Sequence, residues 1–285
     1  MKAQYSNKVM SSMLAFVDHK ILLKGEAYEN YGSLFYKTET QLYEPTYETW
    51  SAPFKQMVCD QSITGANIFT GINIDGDTAA SGGIGTSGIA FFNHHQGQVF
   101  FDSPATITTA SGNYAIKDFN TYLTSEAEEE LLFNTKIQLR PKTTQTEVGL
   151  APEVQTYPAI YIKDNGGGNT PWAFGGMDLT TVSVRAVILG DSAFRLDAAC
   201  SILKDLAYSQ VALLEPEDLP FNAAGGCTGV YDYTAIAASK SSFFDIANVS
   251  VSKYIENRAN YQNLNKDVFS ALVDFDLTNV RTPRE

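Results

Sequence analysis

Near the end of the chain, Phe269, Ala271, Val273, Phe275 and Leu277 alternate with Ser270, Leu272, Asp274 and Asp276. A period of two places successive side chains on opposite faces of an extended backbone, so this segment has to be a strand with one face buried. Such a strand needs neighbours. Ile246–Ile255 supplies one, with Val249 and Val251 on a common face. The intervening Glu256–Lys266 is short enough for antiparallel pairing. Thr181–Leu189 (TVSVRAVIL) supplies another, alternating at first and then continuously apolar, as expected where both faces are covered. After Gly190, Asp191 or Ser192 is expected to cap a helix, because Ala199, Ile202, Leu203 and Leu206 recur at i, i+3, i+4 and i+7. Pro158–Lys163 reads as a strand and Asn165–Asn169 (NGGGN) as a flexible loop or tight turn. The second half is thus predicted to be an antiparallel sheet with a helix packed on one face.

The first half shows strand patterns of a different kind. Met13–Leu23 (MLAFVDHKILL) has two apolar runs around Asp18-His19-Lys20, which predicts two short strands or one interrupted strand. Residues 25–50, rich in Tyr, Thr and Glu without a 3.6 period, read as extended chain, with Pro45 and Pro53 as breakers. Ser62–Gly88 is a Gly-, Thr-, Ser-, Asn- and Asp-rich tract that excludes a helix. In Gly88–Phe101 (GIAFFNHHQGQVFF), two aromatic runs flank a turn in which Gly97 supplies positive φ, the mark of a hairpin. A second strand pair is expected at Ala105–Thr109 and Asn113–Phe119, turned at Ser111-Gly112. Glu126, Glu128, Glu129 and Glu130 stand near a short helix start, followed by Leu131-Leu132-Phe133, strand-like Lys136–Arg140 and a polar connection over Pro141–Pro152. The expected architecture is α+β and β-rich. A sandwich or barrel-like β domain spans residues 1–120, and an α+β oligomerisation domain spans 121–285.

Charge narrows the range of functions. Charged residues make up 18% of the chain, below the usual quarter of a soluble domain. The net charge of −12 is spread along the chain without a Lys/Arg cluster, so direct binding to nucleic-acid phosphates is not expected. Cys59, Cys200 and Cys227 are odd in number and far apart, which argues against a disulfide framework and for a reducing compartment. The N-terminal apolar run stops at Asp18, too short for a signal peptide, and no stretch approaches twenty apolar residues. The protein is expected to be made in the cytosol without a membrane partner.

Few motifs carry chemistry. Gly83–Gly88 matches G-x-G-x-x-G as text, but a polar loop precedes it and an aromatic strand follows, so it reads as a loop and not a dinucleotide site. His94-His95 reads as a solvent-exposed turn, since zinc needs three or four ligands and His19 is the only other histidine. Asn73–Asp77 (NIDGD) lacks the spacing of a calcium loop and reads as a turn. The Glu126–Glu130 run reads as a solvated helix face, Cys200 as core, and no nucleophile elbow for a Ser–His–Asp triad is present. Asn165–Asn169 followed by Pro171-Trp172-Ala173-Phe174 reads either as a hairpin loop lying against its own sheet or as a loop inserting aromatics into a partner. No catalytic, cofactor-binding or metal residue is assigned, and no cofactor is expected.

Three stretches, GIAFFNHHQGQVFF, NYAIKDFNTYLTSEAEEELLF and AFGGMDLTTVSVRAVILGDSAFRLDAACSILKDL, together resemble a structural protein of marine tailed bacteriophages. The strand–Gly-Asp–helix layout and the terminal antiparallel strands are similar to proteins of the neck and tail-terminator type. That resemblance implies a non-catalytic virion protein, made in the host bacterial cytoplasm and forming a homo-oligomeric ring between portal and tail. Its partners would be copies of itself and neighbouring portal, connector or tail proteins, with DNA passing nearby unheld. The chain is longer than a simple tail terminator, so another tail, baseplate or decoration station stays open. From other classes, a carbohydrate-binding β module stacking sugars on Trp50 or Trp172, and a hydrolase, also stay open.

Overall fold

The computed structural model describes the chain except residues 1–3, 39–45, 83, 86–87, 103–105, 134–156, 174–175, 222–226, 254–267 and 283–285. Strand outweighs helix, 48% against 21%, in two curled sheets and four helices, which makes the fold α+β and β-rich. The first sheet contains β1 (Tyr28–Thr38), β2 (Tyr47–Ser51), β3 (Ile72–Ile74), β4 (Asp77–Gly82), β5 (Ile89–Asn93), β6 (Gln98–Asp102) and β7 (Ala110–Lys117). Their order is β4-β3-β7-β1-β2-β6-β5, antiparallel throughout. β1 belongs to two half-sheets, pairing with β7 through residues 28–35 and with β2 through residues 36–38. The halves enclose one aromatic core of Phe35, Trp50, Phe69, Phe92, Phe101 and Tyr114.

The predicted hairpin is β5–β6, closed by Gly97 at φ +65°. The pair expected on either side of Ser111-Gly112 is instead the single strand β7, with Gly112 opposite Ser33. A Cβ at Gly112 would lie 2.9 Å from the Phe69 ring, so this glycine is set by close packing and not by a turn.

The second sheet contains β8 (Asn120–Leu123), β9 (Ala159–Ala173), β10 (Met177–Gly190), β11 (Gln210–Ala212), β12 (Phe243–Lys253) and β13 (Phe269–Arg281). The order is β11-β12-β13-β10-β9-β8, and only β8–β9 is parallel. The expected β12–β13 and β10 strands and the following helix are present. That helix, α3 (Ala193–Lys204), is capped by Ser192, whose Oγ accepts from Arg195 N at 3.3 Å. Ala199, Leu203 and Leu206 of its stripe are buried. The short α2 (Glu128–Phe133) and α4 (Tyr233–Ala238) complete the helical content with α1 (Tyr5–Gly25). Lys136–Arg140 and Pro141–Pro152 lie outside the described residues.

Helix α1 overturns the strand expectation for Met13–Leu23. It buries Val9, Met13, Leu14, Ala15, Phe16, Val17, Ile21 and Leu22 in the larger core, beside α3 and against β8, β9 and β11. A helix covered on most sides loses the 3.6-residue stripe that marks an amphipathic one, so its apolar run looks like that of a buried strand. Asp18 and His19, which split the run, are themselves buried.

NGGGN is likewise neither a loop nor a tight turn. It lies within β9, where Gly167, Gly168 and Asn169 pair with Val182, Thr181 and Thr180. Gly166 takes φ +93° at a register shift, and a Cβ on Gly167 would lie 2.1 Å from Thr181 O. The glycines let the two backbones approach.

Candidate functional site

Five buried polar side chains, Asp18, His19, Asp60, Lys117 and Thr121, were invisible as a cluster in the sequence and are brought together by the fold. Lys117 Nζ donates to both oxygens of Asp18 at 2.6 and 2.7 Å, and Thr121 Oγ1 donates to the same carboxylate at 3.0 Å. Burial lowers the Lys117 pKa, but the neighbouring Asp18 charge outweighs it and the net shift is upward. Beside this pair, His19 Nδ1 lies 2.7 Å from Asp60 Oδ2, and the His19 ring stacks on Tyr233 at 4.5 Å. Ser62 Oγ donates to Asp60 Oδ1 at 2.7 Å. Burial raises the Asp60 pKa, but hydrogen bonds from His19, Ser62 and the Tyr233 backbone hold it below the ordinary carboxylate value.

Ser, His and Asp therefore meet, but not as a relay. Asp60 Oδ2 and Ser62 Oγ both lie on Nδ1 of His19, at 2.7 and 3.3 Å, whereas a triad sets nucleophile and carboxylate on opposite ring nitrogens. The cluster ties α1 to the segment after β2 and to the start of α4, where Tyr233 N donates to Asp60 Oδ1 at 3.1 Å.

The turn holding His94 and His95 is not the solvent-exposed one expected. His94 is 2% exposed, with Nε2 2.8 Å from Phe69 O, and burial pushes its pKa down against that contact. Met57 N donates to His94 O, Gln56 N to His95 O and His95 N to Cys227 O, so a neighbouring segment covers the turn. Among the described residues no group of three or more His, Cys, Asp or Glu is placed to hold a metal. The Gly-rich motif joins β4 to β5, and a strand follows it where a dinucleotide site needs a helix. Asp75 and Gly76 form the β3–β4 turn with positive φ, and Asp75 Oδ1 accepts from Thr108 N and Thr109 N at 2.8 and 2.7 Å. Cys200 is core, its thiol pushed up to about 11 by burial. Trp50 is 6% exposed and unavailable for stacking sugars, whereas Trp172 is 61% exposed.

Among the described residues, two edges of the second sheet stand open. β10 accompanies β9 along nearly its whole length, but β8 covers only Ala159–Ile162 on the outer side. From Asp164 to Ala173 every β9 residue is exposed. The inner side is firmly held: Thr180 Oγ1 donates to Asn169 Oδ1 at 2.8 Å, Arg281 Nε donates to Thr180 Oγ1 at 2.8 Å, and the Arg281 guanidinium lies 4.1 Å from the centre of the Tyr5 ring. Phe174 and Gly175 lie outside the described residues. On the far side of the sheet β11 pairs with Phe243–Asp245, and the 208–209 backbone reaches Ile246. Beyond it, Asn248–Lys253 has no outer strand among the described residues. Each open segment carries one charge on the helix-covered face, Asp164 accepting from Ser6 of α1 and Lys253 paired with Asp197 of α3, and each has a register shift at or beside it, with Pro171 in β9 besides.

The face turned away from α1 and α3 is polar at this end. Arg185 bridges Asp274 and Glu128, with Nη2 2.9 Å from Asp274 Oδ2 and Nη1 2.7 Å from Glu128 Oε1. These hydrogen bonds, to Asp274 and then Glu128, hold the guanidinium pKa above its ordinary value. Asp276 and Ser250 are exposed beside them. Glu128, taken from the sequence as part of a solvated run, is thus an ion-pair partner of the sheet. No helix among the described residues is long and apolar enough to cross a membrane. No protein-family model matches the chain, and no curated protein matches it.

Proposed function

We propose that the protein is a virion structural component of a tailed bacteriophage, acting by assembly into a homo-oligomeric ring at the head–tail junction. One observation carries the assembly reading: among the described residues a single sheet ends in two strands without an outer neighbour, β9 beyond Asp164 on one side and β12 beyond Asn248 on the other. Within the sheet these strands run antiparallel to each other. A neighbour placed head to tail therefore sets its β12 edge antiparallel to the β9 edge, and repeating that heterologous contact closes a ring. In this arrangement Asp164, at the start of the open β9 segment, faces Lys253, at the end of the open β12 segment. The station in the virion rests on the sequence resemblance described above.

The polar face, with exposed Asp276 and with Arg185 held between Asp274 and Glu128, faces the lumen of the ring, where carboxylates keep passing DNA phosphates from adhering. Light scattering coupled to size-exclusion chromatography tests the assembly. The expected result is a discrete oligomer of identical chains with a ring outline in negative-stain images. A stable monomer at tens of micromolar overturns the ring, and a map with basic side chains other than the carboxylate-paired Arg185 lining the channel overturns the lumen assignment.

A further inference from the structure

Cys59 and Cys227 are 168 positions apart in the sequence and meet in the larger core. Their main chains are fixed by short bonds. Cys59 O accepts from Tyr231 N at 3.0 Å, Cys227 O accepts from His95 N at 2.8 Å, and the adjoining Asp60 and Tyr231 form a parallel bridge. The Cys227 side chain acts directly on the Cys59 thiol, so the two side chains are neighbours in this core. Cys59 Sγ also lies 3.4 Å from Met57 O, and Cys227 Sγ 2.8 Å from Gly229 O. Both residues are buried, at 1% and 5% exposure. The third cysteine, Cys200, sits on α3.

We propose that Cys59 and Cys227 form an intrachain disulfide site, closed by a small oxidant of the hydroperoxide class. A disulfide needs its sulfurs at about 2.05 Å, and neighbouring thiols on main chains anchored this way reach that by turning away from the Met57 and Gly229 carbonyls. One thiolate attacks a peroxide oxygen, giving a sulfenic acid and releasing water. The second thiol then displaces a second water and the S–S bond forms. Two thiols lose two electrons and two protons, and hydrogen peroxide is reduced to two waters. Burial, followed by the neighbouring Cys227 side chain, holds the Cys59 thiol well above its ordinary pKa, so the pair stays reduced under mild conditions and reacts faster at alkaline pH. The bond joins the segment after β2 to the segment ahead of α4. It thereby closes a loop containing most of both sheets.

The test is incubation of the folded protein with hydrogen peroxide at pH 8, alkylation, and peptide mapping without reductant. The expected result is a Cys59–Cys227 linked peptide, a fall from three free thiols to one, and a Tm higher by about 5–10 °C that dithiothreitol reverses. Cys200→Ser should leave the cross-link intact, and Cys59→Ser should abolish it. Three thiols surviving prolonged exposure overturn the proposal. So does a cross-link through Cys200, or conversion of Cys59 or Cys227 to sulfinic or sulfonic acid in place of the disulfide. The cross-link lies within one chain, so its outcome is independent of whether the protein assembles into a ring.

Discussion

The two sheets solve the same problem in opposite ways. The first is built from mostly short strands and folds over itself around an aromatic core, with β1 shared between its halves. The second is built on strands of up to fifteen residues, borrows α1 and α3 to cover one face, and lets β9 run past its neighbour. The first sheet ends in the short strands β4 and β5, whereas the second leaves long stretches of β9 and β12 without an outer neighbour among the described residues. The contrast is why the proposed assembly is placed on the second sheet.

Removing α1 is the hardest blow to the second sheet. Residues 121–285 without the helix leave exposed the surface that eight buried apolar side chains cover, each contributing about 1.5–3 kcal/mol. That loss rivals the whole stability of an ordinary domain. The expected outcome is no cooperative unfolding transition in calorimetry, together with binding of a hydrophobic dye. Folded, cooperative behaviour in this fragment would show that the sheet does not depend on its borrowed helix.

The junction between the regions is tested by Lys117→Met, which leaves Asp18 buried without its cation. A loss of about 3–5 kcal/mol is expected in denaturant unfolding, much of it recovered in the Asp18→Asn, Lys117→Met double variant. The sign of the pH dependence follows from the shifts. Lys117 has a raised pKa in the fold, so its contribution is complete below pH 10.5 and fades as pH rises above that value. Asp60 has a lowered pKa, so its contribution is complete above pH 3.8 and fades as pH falls below that value. Asp60→Asn should flatten the acid limb of a stability–pH curve and leave the alkaline limb unchanged.

Glycine offers the same probe in both sheets. Gly112→Ala drives a methyl into the Phe69 ring and should cost about 1–3 kcal/mol. Gly168→Lys in β9 meets open space, so chain stability should move by less than about 0.5 kcal/mol while the added charge blocks the edge and weakens assembly at least about tenfold by light scattering. Gly168→Ala is the smallest change, neutral or stabilising by about 0.4–1 kcal/mol. Equal costs for alanine at Gly112 and Gly168 would erase the distinction between a packed sheet and an open one.

Legibility followed sequence distance. The β5–β6 hairpin, β10, α3 and the β12–β13 pair could be read locally, because Gly97, the Ser192 cap and the two-residue alternation each act within a few positions. The Asp18–Lys117 and His19–Asp60 contacts could not, since partners 99 and 41 residues apart leave no local pattern. Glycine misled twice. Gly112 and the Gly166–Gly168 run suggested turns, yet both serve backbone or ring approach within strands, a role set by the neighbour and not by the residue itself. His94 was misjudged for the same reason, its cover coming from residues 54–57 and 227. The open edges of β9 and β12 depend on where β8 and β11 stop, which only the three-dimensional pairing reveals.

Tyr5 in helix α1 meets Arg281 in β13, 276 positions further along the chain. At ribosomal rates of about 5–20 residues per second that interval lasts on the order of tens of seconds. Through much of it a largely apolar helix lacks its main docking surfaces, because β9, α3 and β11 are made later. Completing the packing of α1 therefore waits on distant segments and is slow, in keeping with contacts of such sequence separation. Productive yield should depend on holdase chaperones shielding residues 5–25 until those elements arrive.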